Sequence, residues 1–123
     1  MSTPAVLVVE DQLLIRLDAI DFLNATGLEG VEASNADDAI QILHARDDIS
    51  LVFTDIEMRG SMDGLKLAHW ISERLPKVHL IVTSGKLIVE DEQLPPGSKF
   101  YSKPYDEGQI VREMKRMIAA PLF

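Results

Sequence analysis

Four short apolar runs punctuate the sequence: Ala5-Val6-Leu7-Val8-Val9, Leu51-Val52-Phe53-Thr54, Leu80-Ile81-Val82 and Phe100-Tyr101-Ser102. Each has the length of a strand, and the segments between them repeat apolar residues at helical spacing. This alternation predicts the order βαβαβαβαβα, a parallel sheet with helices on both faces. The first helix is expected from about Gln12 to Thr26, with Leu13, Leu17 and Ile20 on one stripe, Arg16, Asp18 and Asp21 on the other face, and a stop near Gly27. Val31 to Ala33 reads as a weak second strand. Ser34 or Asn35 can cap a second helix bearing Ala36, Ala39, Ile40 and Leu43, which ends near Arg46. Ile49 to Thr54 and Val78 to Thr83 are further strands, separated by a helix carrying Leu65, Ala68, Ile71 and Leu75 that Pro76 closes. Gly85 to Gly97 is the weakest segment: Leu87-Ile88-Val89 is largely β-branched and Pro95-Pro96 forbids continuation, so a short helix is expected there. The last helix runs from a capping Asp106 to Met117, with Ile110, Met114 and Met117 inward and Arg112, Lys115 and Arg116 toward its C-terminus.

Five polar residues follow directly on the strand-like runs: Glu10, Asp11, Asp55, Thr83 and Lys103. In an open parallel sheet, strand ends converge on one crevice. Taken singly, each residue has a structural explanation: an acid capping the next helix, an aspartate in a turn, a threonine ending a strand, a lysine in a solvated turn. Together they read as a phosphoryl site. Asp55 is a hard oxygen nucleophile able to form an acyl phosphate. Glu10 and Asp11 would raise its pKa and destabilise the fold unless a divalent ion offset their charge, and oxygen ligands suit Mg²⁺. Thr83 can donate to a phosphoryl oxygen and Lys103 can pair with another.

Composition narrows the class. The chain has 123 residues, 46% of them hydrophobic, which suits one cored domain over residues 1–123 and predicts no output domain. A net charge of -8 and an isoelectric point near 4.7 oppose direct binding to nucleic acid or an anionic membrane. The absence of cysteine excludes a disulfide framework and a thiolate metal site. No apolar run approaches membrane-spanning length, and a cytoplasmic protein is expected. His44, His69 and His79 lack metal-ligand spacing, and the glycines match no phosphate-binding loop.

The segments Val-Leu-Val-Val-Glu10-Asp11, Phe-Thr-Asp55-Ile-Glu-Met, Met62-Asp63-Gly64, Val-Thr83-Ser-Gly and Lys103-Pro104-Tyr105 resemble, in order and spacing, the receiver domain of bacterial two-component response regulators. The resemblance covers essentially the whole chain. It implies a CheY-like, flavodoxin-like fold of five parallel strands in the order 2-1-3-4-5 with five helices. It further implies Asp55 as phosphoacceptor, Mg²⁺ held by Glu10, Asp11, Asp55 and the backbone carbonyl of Glu57, and Thr83 and Lys103 on the phosphoryl group. A cis Lys103-Pro104 bond belongs to the same pattern. So does a switch coupling Thr83 to an aromatic three positions before the lysine, Phe100 in this chain. Tyr101 competes for that role, but strand alternation puts it on the side of Lys103.

The resemblance names the partners as a sensor histidine kinase or histidine phosphotransfer protein and a downstream protein target, with the chain a monomer or weak homodimer. The chain departs from the family pattern at Arg59, where proline is usual, at Gly60-Ser61, which lengthens the loop, and in the short stretch between Thr83 and Lys103. Two alternatives stand beside the receiver reading. A metal-dependent phosphatase with an aspartyl-phosphate intermediate would carry Asp-x-Asp, whereas residue 57 is glutamate. An unphosphorylated interaction module would keep the fold without using Asp55.

Overall fold

A computed structural model describes residues 3–119. The elements are β1 (Ala5–Val9), α1 (Leu13–Ala25), β2 (Glu29–Ala33), α2 (Ala36–Ala45), β3 (Ile49–Asp55), α3 (Gly64–Arg74), β4 (His79–Ser84), a 3₁₀ turn (Asp91–Gln93), β5 (Lys99–Ser102) and α4 (Glu107–Ala119). All strand pairs are parallel, and the sheet order is β2-β1-β3-β4-β5, as the resemblance implied. The order reverses beside β1, which opens a crevice between β1 and β3 at their C-terminal ends. Val9 lies opposite Thr54, and Asp55 lies opposite Thr83. Register alone therefore places the ends of β1 and β4 beside the end of β3.

Alternation along the central strands divides the core into two layers. Leu7, Val9, Val52, Leu80 and Val82 pack with Ala36, Ala39 and Leu43 of α2 and Leu67, Ala68 and Ile71 of α3. Val6, Val8, Leu51, Phe53 and Ile81 point the other way, toward Ala19 and Leu23 of α1 and Ile110, Val111, Met114 and Met117 of α4. The central strands are apolar on both faces because both are covered. The α1 stripe differs from the expected one. Leu13 and Leu17 are exposed and only Ile20 reaches the core, whereas Ala19 and Leu23 are buried. Apolar residues surround most of this helix, so its periodicity admits more than one inward face, and small Ala19 allows the closest approach to the sheet.

Helix ends follow local chemistry. The Asn35 side chain accepts from Asp38 N–H at 2.8 Å, capping α2, while Ser34 donates to the Asp38 carboxylate instead. Asp63 accepts from Lys66 N–H at 2.9 Å, capping α3. Gly27 takes the positive φ of 89° that ends α1, a conformation open to glycine without a steric cost.

The expected helix between Gly85 and Gly97 does not form, so the described residues carry four α-helices rather than five. Only the 3₁₀ turn interrupts this stretch. Val89 and Leu94 are buried against the α2–α3 layer, and that anchoring fixes an irregular path between them. Pro95 and Pro96 lack the N–H groups that a continuing helix needs. Phe100 packs into the α2–α3 layer and Tyr101 into the α1–α4 layer, so the two aromatics face opposite sides of β5.

Candidate functional site

The five sequence-selected residues meet at the C-terminal edge of the sheet. Glu10 follows β1, its N–H donating to Ala33 O at 3.1 Å, and it is 3% exposed. Asp55 ends β3, also at 3% exposure, with buried Thr83 on the adjacent strand. Lys103 follows β5, its N–H donating to Ser84 O at 2.9 Å, ahead of a cis Lys103-Pro104 peptide. One carboxylate oxygen each from Glu10, Asp11 and Asp55 fall within 4.8 Å of one another. The Lys103 ammonium donates to Glu10 Oε1 at 2.9 Å and lies 3.4 Å from Asp55 Oδ1, the latter an ion pair without hydrogen-bond alignment. Asp55 Oδ1 and Thr83 Oγ1 are buried and have no hydrogen-bond partner among the described residues. Two unsatisfied polar atoms side by side are costly in a fold and mark where a ligand completes the network. Asp55 borders an open cleft of about 810 Å³ lined also by Asp11, Glu57, Arg59, Gly85 and Lys103 among others.

Burial pushes the Asp55 carboxyl up to about 6, with repulsion from Glu10 and then Glu57 acting in the same direction and Lys103 opposing. Burial also works against the Lys103 ammonium, but its bond to Glu10 and the charge of Asp55 outweigh that effect and hold its pKa above the ordinary value. Burial, then the charge of Glu10, pushes the nearby Tyr105 phenol up to about 12. The acid trio is thus crowded with negative charge that one lysine only partly offsets. A hard divalent cation fits such a donor set.

Several features of the site lay outside the sequence reading. Gly64, selected only as part of a motif, opens α3 directly beneath Asp55; a Cβ there would lie 1.8 Å from the Asp55 carbonyl oxygen. Its N–H donates to Ile56 O at 3.0 Å, and Ile56 N–H donates to Thr83 O at 2.9 Å, pinning the β3 end between β4 and α3. Arg16 reaches from α1 to donate to Glu10 O and Glu32 Oε1, both at 2.9 Å. Glu10 also accepts from Gln12 N–H at 3.1 Å, so the capping role considered for it coexists with its place in the acid trio. The lengthened loop after β3 turns inward: Arg59 N–H donates to Asp11 Oδ2 at 3.2 Å, and Ser61 Oγ donates to Asp37 Oδ1 at 2.7 Å. Glu57 turns its carboxylate to Ser84 and Gly85. The histidines stay away from the site, with His69 bonded to Gln93 O at 2.7 Å and His44 against Trp70.

A family model described as "Response regulator receiver domain" matches residues 6–115. The chain belongs to this family. Among relatives, a putative NtrX-like response regulator from Rickettsia bellii is 33% identical over 120 residues, covering 94% of this chain and 25% of the relative. The aerobic respiration control protein ArcA from Escherichia coli strain K12 is 29% identical, covering 97% of the chain and 50% of that protein. The receiver domain thus spans from a quarter to a half of these relatives' lengths. A crystal structure of a response regulator receiver protein from Pseudomonas putida superposes with a TM-score of 0.85 at 31% identity, covering 94% of this chain and 98% of that one. Another, from Sinorhizobium medicae WSM419, gives 0.89 at 24% identity and 97% coverage of both, a likeness of fold. Among the described residues of the receiver domain, no helix is long and apolar enough to cross a membrane.

Proposed function

We propose that Asp55 accepts a phosphoryl group from a phosphohistidine on a sensor kinase or phosphotransfer protein, and that the modified domain changes its affinity for a downstream protein or passes the group onward. The observation that carries this reading is the buried Asp55 Oδ1, which receives no hydrogen bond among the described residues and lies 3.4 Å from the Lys103 ammonium, in a residue that lines an open cleft. An Asp55 carboxylate oxygen attacks phosphorus, the P–N bond to the donor imidazole breaks, and the imidazole leaves with the bonding electron pair and takes up a proton. The product is an acyl phosphate on Asp55.

Glu10, Asp11, Asp55 and the Glu57 carbonyl are the groups to hold Mg²⁺. When bound, the ion offsets charge on the carboxylates and on the transferring phosphoryl oxygens. Lys103 is placed to pair with a second phosphoryl oxygen, taking up charge as it develops. Thr83 brings a hydroxyl with no competing partner, which supports a role as donor to the phosphoryl group and, with Phe100, as the conformational switch. A hydrolase of the Asp-x-Asp type would need a free acid two positions after the nucleophile. The engagement of Glu57 with Ser84 and Gly85 weighs against it.

Incubation with a small acyl phosphate and Mg²⁺ tests the proposal. One acid-stable, alkali-labile phosphate per chain is expected on the wild type and none on Asp55→Asn. Unimpaired labelling of that variant overturns the assignment.

A further inference from the structure

The Glu57 side chain has a second position to fill besides its carbonyl. Its Oε2 accepts from Ser84 Oγ at 2.6 Å and its Oε1 accepts from Gly85 N–H at 2.9 Å. Ser84 Oγ in turn accepts from Lys86 N–H at 3.2 Å and Leu87 N–H at 2.9 Å. One amide and one hydroxyl therefore bond the carboxylate directly, and two further amides are tied to it through Ser84 Oγ. Among the described residues those amides donate to nothing else. Because no α-helix forms between β4 and β5, little else fixes this stretch before buried Val89, and Leu87 and Ile88 stand 51% and 84% exposed.

Part of this network shares a cleft with the reactive carboxylate. Glu57 and Gly85 line the cleft with Asp55, and Asp55 and Glu57 already repel one another. A phosphoryl group on Asp55 brings a second, more highly charged anion to donors that Glu57 now occupies. Two anions then compete for one N–H and one O–H.

We propose that the Glu57 side chain is a latch: it holds residues 84–87 in the resting protein and lets go when a phosphoryl group on Asp55 competes for the Ser84 hydroxyl and the Gly85 amide, freeing the Leu87-Ile88 pair. This rests on Asp55 being the phosphoacceptor. Glu57 is a positioning residue in this scheme; its charge makes the latch responsive and its geometry makes it hold. Gln at the same position keeps an acceptor for the Gly85 amide without the charge but cannot also accept from the Ser84 hydroxyl, and Ala preserves neither contact.

The test is amide exchange of Gly85, Lys86 and Leu87 on the whole chain, with phosphoryl occupancy read by intact mass in the same samples. In the resting state, Glu57→Ala and Ser84→Ala should speed these amides at least tenfold, while Glu57→Gln, which keeps an acceptor for Gly85 N–H, leaves that amide within about threefold of wild type. Mg²⁺ alone should not speed them in the wild type, whereas acyl phosphate with Mg²⁺ should do so at least tenfold. In Glu57→Gln, once phosphorylated, the increase at the Gly85 amide should fall below about threefold. Equal resting exchange in wild type and Glu57→Ala overturns the latch, as does an equal response of wild type and phosphorylated Glu57→Gln, or a full response to Mg²⁺ alone. A wild type that takes up no phosphoryl group overturns the acceptor reading and the release step with it, while the resting arm still decides whether Glu57 holds the segment.

Discussion

Replacing Asp55 with asparagine is expected to stabilise the receiver domain in the absence of divalent ions, by an amount that depends on pH. The folded protein moves the Asp55 carboxyl from 3.8 to about 6, chiefly through burial and then through repulsion from Glu10. A raised carboxyl pKa means that folding disfavours the ionised form. Below pH 3.8 the group is protonated folded or unfolded, and there is no penalty. Between 3.8 and about 6 the unfolded chain ionises while the folded chain keeps its proton, so the penalty grows; above about 6 it is complete. At about 1.4 kcal/mol per pH unit, the full penalty is about 3 kcal/mol. Asparagine has nearly the shape of the neutral carboxyl and escapes it. Urea denaturation of both proteins in EDTA should show the variant about 3 kcal/mol more stable at pH 7.5, with the gain falling below about 1 kcal/mol at pH 4. Millimolar Mg²⁺ should shrink the difference at pH 7.5 by stabilising the wild type more than the variant. A gain absent at pH 7.5, or equal at pH 7.5 and pH 4, refutes the reasoning.

Three further outcomes are expected. Gly64→Ala should cost more than about 3 kcal/mol in chemical denaturation, because the added Cβ meets backbone atoms at 1.8 Å and the β3 end cannot yield without losing its bonds to β4; a loss under about 1 kcal/mol counts against the close packing of α3 on Asp55. Asp63→Ala removes the α3 cap and should cost about 1 kcal/mol, with Asp63→Asn recovering most of it in the same assay. Lys103→Ala should slow phosphoryl incorporation from a saturating small donor by about a hundredfold, since the ammonium 3.4 Å from Asp55 Oδ1 is the cation placed to meet developing charge. Incorporation at the wild-type rate would remove Lys103 from the site chemistry.

Much of this arrangement was legible in the chain. The runs before Glu10, Asp55, Thr83 and Lys103 are strands, as the alternation predicted, whereas the order that makes β1 and β3 central came with the family resemblance. Strand length and direction carry their following residues to one edge, which is why the site could be assembled from spacing. The face of α1 could not be assigned in the same way, because Leu13, Leu14 and Leu17 are as apolar as the residues that go inward. A short helix was expected between Gly85 and Gly97, yet the weak helix propensity of this segment and the burial of Val89 and Leu94 leave an irregular path there.

What the sequence by itself determined is the set of strands, their order of chemistry and the residue types at their ends, since these depend on periodicity and on neighbours along the chain. The pairing that sets Asp55 against Thr83, the reach of Lys103 to Glu10 across 93 positions, and the turn of Glu57 toward Ser84 were decided only by the tertiary structure. They are contacts between residues distant in sequence, whose distances and charges exist only once the sheet is closed and water is excluded. The raised proton affinity of Asp55 has the same origin: burial and the nearness of Glu10 create it, and neither is a property of an aspartate in an unfolded chain.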